Sequence, residues 1–176
     1  VTPRRVLRIL LVVLLVLLVQ STLGLAVRLA GAHPDLMLLL PIAAGLAFGP
    51  EEGALMGFVA GMASDLLLPT PFGLSALVGC LIGFGVGSTT GRITEGIWWL
   101  KSLVALAASA VAVMLYAVLG AVLGQEQFLN DGLVAVVVVV SVVNAVLAPA
   151  AVRMLRWAVV GSGADDTRSS PAGARW

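Results

Sequence analysis

The stretch Val6-Leu7-Arg8-Ile9-Leu10-Leu11-Val12-Val13-Leu14-Leu15-Val16-Leu17-Leu18-Val19 decides the fold. It carries one charge, Arg8, and shows no alternation of apolar and polar residues. A strand in a barrel wall would alternate with period two. An unbroken run of this kind reads as a helix in an apolar solvent. No water reaches the backbone there, so every N–H and C=O must bond internally. The rest of the chain has the same character. Of its 176 residues, 60% are apolar and 11% charged, against roughly 45–50% and 25% in a soluble domain. The fold class expected is an all-α integral membrane protein with about six transmembrane helices and short loops.

Several function classes are disfavoured at this level. The net charge is +1 and no basic patch with interleaved aromatics occurs, so nucleic acid is not an expected partner. A single cysteine, Cys80, rules out an internal disulfide and a multi-thiolate metal site. The single histidine, His33, rules out a paired-histidine metal motif. Ser, His and Asp nowhere combine as a catalytic set. Gly83-Phe84-Gly85-Val86-Gly87 resembles a nucleotide loop, but no strand precedes it and no Lys-Ser or Lys-Thr follows. No enzyme, cofactor or metal is expected.

Working outward, the first helix is expected over about 6–27. Arg4, Arg5 and Arg8 before the apolar run resemble a signal peptide, with Ala30-Gly31-Ala32 as a small-residue site. A retained signal anchor is the reading preferred, because the run is long enough to span and more spans follow. Gly31, His33 and Pro34 break the chain, and Asp35 can cap a short second helix over 36–48. That helix is either a partial span or half of a helical hairpin, so five and six spans both stay open. Gly49-Pro50-Glu51-Glu52 is a turn that puts two acids at the positive end of a third helix, 51–68. Pro69-Thr70-Pro71 forces the next turn. A fourth helix is expected over 72–88, a fifth over 98–123 and a sixth over 133–157. Residues 1–160 then form one multi-pass membrane domain, and 161–176 a disordered cytoplasmic tail.

With six spans, Arg4, Arg5, Arg8, Arg92, Lys101, Arg153, Arg156, Arg168 and Arg175 fall on one side, and Arg28 alone on the other. That bias places both termini in the cytoplasm. Trp98, Trp99 and Trp157 gather at the same interface, as an aromatic belt does.

Gly53, Gly57 and Gly61 recur every four residues, with Asp65 continuing the row; Gly79, Gly83, Gly87 and Gly91 do the same in the fourth helix. Residues four apart share a helix face, and a face without side chains lets membrane helices approach closely. Packing of the third helix on the fourth is preferred over a docking face for another protein. At Asp65, near the negative end of its helix, two readings stand level. It accepts hydrogen bonds from the following turn and the next helix start, or it contacts a partner. Asn144, with Ser141 one turn earlier, reads as an interhelical hydrogen bond within the span. Gln20, Ser21 and Thr22 read similarly, and Cys80 reads as a small buried apolar residue.

Pro34-Asp35-Leu36, the run from Gly53 through Gly57-Phe58 and Gly61 to Asp65-Leu66-Leu67, and Pro71-Phe72-Gly73-Leu74-Ser75-Ala76-Leu77 together resemble the bacterial rod shape-determining protein MreD family. Gln20-Ser21-Thr22, and Asn144 with Ala148-Pro149, also look like that family. The likeness covers about 20–91, with a weaker echo near the C-terminus. It implies a plasma-membrane protein without catalysis of its own. It further implies a scaffold that works with MreC and the MreB-based complex, beside RodA and a class B penicillin-binding protein. Gly53, Gly57, Gly61, Asp65, Pro71, Gly73, Gly79, Gly83, Gly87 and Asn144 are the expected partner or packing interface. The family is similar in organisation to the substrate-binding S components of energy-coupling-factor transporters. A vitamin-binding transporter subunit is therefore the alternative.

Overall fold

A computed structural model describes residues 3–26, 35–67, 72–93, 98–124 and 132–160. The described residues are all-helical, with six helices: α1 (Pro3–Ala26), α2 (Leu39–Phe48), α3 (Pro50–Asp65), α4 (Leu74–Ile93), α5 (Trp98–Val122) and α6 (Leu133–Val160). The turns around 69–71 and 125–131, the loop around His33 and the tail 161–176 lie outside the described residues.

Where helix ends differ from expectation, local chemistry explains the difference. α2 starts at Leu39 rather than Leu36, because Asp35 Oδ1 accepts from the N–H groups of Met37 (3.1 Å) and Leu38 (3.3 Å) and holds that segment as a capping turn. α3 ends at Asp65 rather than Leu68; Leu66 and Leu67 form a turn. α4 starts at Leu74 rather than Phe72, since Gly73 has φ +94°, outside the helical region. It continues past Ser88 to Ile93, and the Ser88 and Thr89 hydroxyls donate back to the carbonyls of Phe84 (2.8 Å) and Val86 (2.7 Å). Their hydrogen-bonding capacity is spent inside the helix instead of in a loop. The valine block 136–140, strand-like by propensity, lies within α6.

The helices surround α2. Residues 39–46 are buried on every side, packed by α3, α4, α5 and α6. At ~1.5 Å per residue a ten-residue helix reaches about 15 Å, half the thickness of a ~30 Å hydrocarbon core. α1 is less enclosed. Val12 and Val13 face inward with Ile9, Val16 and Leu17 beside them, while Leu7, Leu10, Leu11, Leu14, Leu15 and Leu18 are exposed. Both faces of α1 are therefore apolar, and only one has protein against it.

The same holds elsewhere on the surface. Leu55, Phe58, Leu77, Leu81 and Phe84 on α3 and α4 are exposed, as are Leu103, Val111, Val118, Val138 and Val146 on α5 and α6. Two helices, over 99–122 and 133–158, are long and apolar enough to cross a membrane.

Candidate functional site

Among the described residues, glycines bring the main chains of α3 and α4 into direct contact. A Cβ on Gly79 would lie 2.7 Å from the Gly57 carbonyl oxygen. On Gly57 it would overlap the Gly79 carbonyl, on Gly53 that of Gly83, and on Gly83 that of Gly53. Gly61 faces the backbone of Ala76, and Gly87 faces Gly49 and Pro50. In each case the neighbour is main chain, which cannot swing aside as a side chain could. Gly45 of α2 joins this seam, with a Cβ position 2.7 Å from the Gly83 oxygen. It stands four residues before Gly49 and eight before Gly53, so the row of fours runs back to it across the Gly49-Pro50 turn, although the expected interface began only at Gly53. Gly91 lies in α4, but its surroundings are not among those described.

Asp65 closes one end of the seam. It is 5% exposed and accepts three backbone hydrogen bonds: Gly73 N–H to Oδ2 (2.9 Å), Ser75 N–H to Oδ1 (3.2 Å) and Ala76 N–H to Oδ2 (3.4 Å). The donors are unpaired N–H groups at the start of α4, where the helix dipole also favours an anion. A carboxylate at the unfavourable end of its own helix thus serves the favourable end of the next. Pro71 lies outside the described residues.

A second polar cluster ties α1 to α2. Gln20 Oε1 accepts from Met37 N–H (2.9 Å), and Gln20 Nε2 donates to Asp35 Oδ1 (3.4 Å). Burial pushes the Asp35 carboxyl above its ordinary range, opposed by the hydrogen bonds it accepts from Leu38, Gln20 and Met37. Asp35 was legible as a cap; Gln20 as its neighbour was not, because residues 21–34 lie between them in sequence.

The third cluster lies between α5 and α6. Asn144, fully buried, donates from Nδ2 to Ser109 Oγ at 3.0 Å. Asn144 Oδ1 and Ser141 Oγ are buried without a hydrogen-bond partner among the described residues. Ser109 was missed in the sequence, though a lone hydroxyl within the Ala-Ala-Ser-Ala run of an apolar helix is a signal for such a bond. On the outer side of the same helix pair, an open groove of about 430 Å³ is lined by Ser102, Leu106, Val142, Ala145, Val146 and Pro149. Pro149 sits inside α6, so the carbonyl of Ala145 lacks its usual helical donor.

Cys80 is half-buried rather than fully buried, because it stands beside the glycine row instead of in it. Its thiol donates to the Ala54 carbonyl at 3.2 Å. Among the described residues no group of three His, Cys, Asp or Glu could hold a metal.

The structure thus brings Gly53, Gly57, Gly61, Asp65, Gly73, Gly79, Gly83 and Gly87 into one seam, and leaves Asn144 apart from it on α6. A family model described as rod shape-determining protein MreD matches residues 3–157. The match takes in α1 to α5 and α6 as far as Trp157, and the chain belongs to that family. No curated protein and no solved structure matches the chain, so the expected likeness to transporter S components has no support. The family is one of membrane proteins of the shape-determining machinery, and is not known as an enzyme family.

Proposed function

We propose that this MreD-family chain is a non-enzymatic membrane scaffold of the cell-elongation machinery, needed for cell shape and lateral peptidoglycan synthesis. Its partners in this reading are MreC, the MreB-based complex, RodA and a class B penicillin-binding protein. Family membership over 3–157 carries the reading. The polar groups support it. Asp65, Gln20, Asp35 and the amide nitrogen of Asn144 are engaged in bonds within the protein. A small-molecule site instead wants several polar groups converging on a pocket.

The exposed apolar belt around α1, α3, α4, α5 and α6 supports a multi-pass arrangement in the bacterial plasma membrane, with residues 1–160 as one membrane domain. Both termini are cytoplasmic in this reading, on the charge bias of Lys and Arg. α2 is too short to cross alone and joins α3 as a hairpin inside the bundle.

The test has two parts. A reporter active only outside the cytoplasm, fused after Trp176, should be silent; strong activity would sink the topology. Cells depleted of the native protein should regain rod shape and MreC recovery when supplied with this chain. Normal shape without it, or rescue with no co-recovery of MreC or a synthase, would overturn the scaffold.

A further inference from the structure

The outer groove between α5 and α6 runs into a cluster of cations and indoles. Pro149 lines the groove, and Arg153 follows four residues later on the same face of α6. Arg153, Arg156 and Trp157 are exposed. On α5, Ser102 lines the groove and is preceded by half-buried Lys101 and exposed Trp99. Ser102 and Pro149 share one groove with Leu106 and Val142. The two helices therefore run antiparallel, and the start of α5 meets the end of α6. Arg8 of α1 lies 5.9 Å from the Trp157 ring centroid, a cation–π contact that brings α1 to this end of α6.

We infer that this face binds an anionic glycerophospholipid, with its phosphate on Arg153 and Lys101 and an acyl chain in the groove that ends at Pro149. The inference rests on the membrane reading above. Three observations carry it. Five of the six residues that line the groove are apolar, Ser102 being the exception. Lys101, Arg153 and Arg156 have no ion pair among the described residues. Trp99 and Trp157 flank those cations, and indoles settle at headgroup level. A guanidinium presents forked donors that match phosphate oxygens. A zwitterionic headgroup offers the same phosphate with a cation attached, which the three basic groups repel. The site therefore discriminates by net headgroup charge.

The full chain is reconstituted in phosphatidylcholine vesicles, and brominated phosphatidylglycerol or brominated phosphatidylcholine is titrated against tryptophan fluorescence. The native chain should prefer phosphatidylglycerol by about five-fold or more, the factor expected per basic residue at an anionic surface. Arg153→Gln should remove most of that preference and Arg153→Lys should keep most of it. Val146→Phe fills the groove at an exposed position that packing does not need. It should weaken phosphatidylglycerol binding while leaving the response to salt. Arg168→Gln, in the tail, should change nothing. Equal affinity for the two lipids in the native chain overturns the site, as does an unchanged preference in Arg153→Gln or an equal loss in Arg168→Gln. Loss of partner-protein recovery in Arg153→Gln with lipid preference intact overturns it in favour of a protein contact. Absence of quenching by either lipid shows that the chain does not sit in the bilayer, a distinct failure of the underlying reading.

Discussion

Between α3 and α4 the two main chains meet directly: Gly57 lies against Gly79 and Gly53 against Gly83. Between α5 and α6 the polar contact is made by side chains, Asn144 to Ser109. Ala105, Ser109 and Ala112 on one helix are buried, as are Ser141, Asn144, Ala148 and Ala151 on the other. The first seam satisfies its polar group completely, three N–H donors on one carboxylate. The second leaves Asn144 Oδ1 and Ser141 Oγ without partners among the described residues. The difference teaches where each pair can absorb change. A contact between main chains has no rotamer to adjust, so any added atom must separate the helices. A contact made by small side chains can shift, and its unpaired polar atoms contribute little to holding it in one place.

That contrast is broken or sharpened by substitution, starting where the effect is largest. Gly57→Leu puts a branched side chain into the Gly79 carbonyl and should cost ~3 kcal/mol, the upper end for overpacking. Membrane abundance and thermal stability in detergent should both fall sharply. Wild-type behaviour would show that the two helices separate freely. Asp65→Ala comes next. It strands the N–H groups of Gly73, Ser75 and Ala76, and unmet buried donors cost ~1–3 kcal/mol. Asp65→Asn should cost less, since an amide oxygen still accepts while its NH2 faces one donor. A melting temperature ordered wild type, Asn, Ala would support the local role; equal values for all three would remove it.

Gly73→Ala should be milder again. Its φ of +94° disfavours any Cβ by ~1–2 kcal/mol, yet no atom lies within 4 Å of the added methyl. Thermal unfolding of the purified protein should show a modest shift. A loss as large as that of Gly57→Leu would mean the turn is packed by residues outside those described.

The smallest effects belong to the second seam. Asn144→Ala removes one interhelical hydrogen bond, worth ~0.6–2 kcal/mol in a membrane, and also removes an unpaired carbonyl oxygen. Ser141→Ala deletes a hydroxyl with no partner among the described residues and should be within ~0.5 kcal/mol of neutral. A marked loss for Ser141→Ala would show that the hydroxyl is engaged, and would bring the second seam closer in kind to the first.

The sequence was informative where the physics is local. Gly49-Pro50 and Gly73 stop and start helices through their own backbone preferences, so helix boundaries were readable to within a few residues. Glycines four apart on two neighbouring helices also announced their own contact. What was hidden depends on surroundings. The residues of α2 and the outer face of α1 are equally apolar, but α2 has protein on all sides and α1 on one. Leucine and alanine suit lipid and protein alike, so hydropathy cannot tell these environments apart. The pairing of Gln20 with Asp35 and of Asn144 with Ser109 depends on which helices become neighbours, and each residue alone signals only that a partner exists.

α2 also sets an order in time. Its walls come from α3 and α4, made soon after it, and from α5 and α6, made last. Roughly a hundred residues separate the end of α2 from the end of α6, which at ~5–20 residues per second is ~5–20 s of synthesis. During that interval the glycine seam can already close, while the flank of α2 that α6 covers waits for the ribosome to finish. The nascent chain therefore has a half-built centre that something else must shelter, either the insertion machinery or lipid, until its last helix arrives.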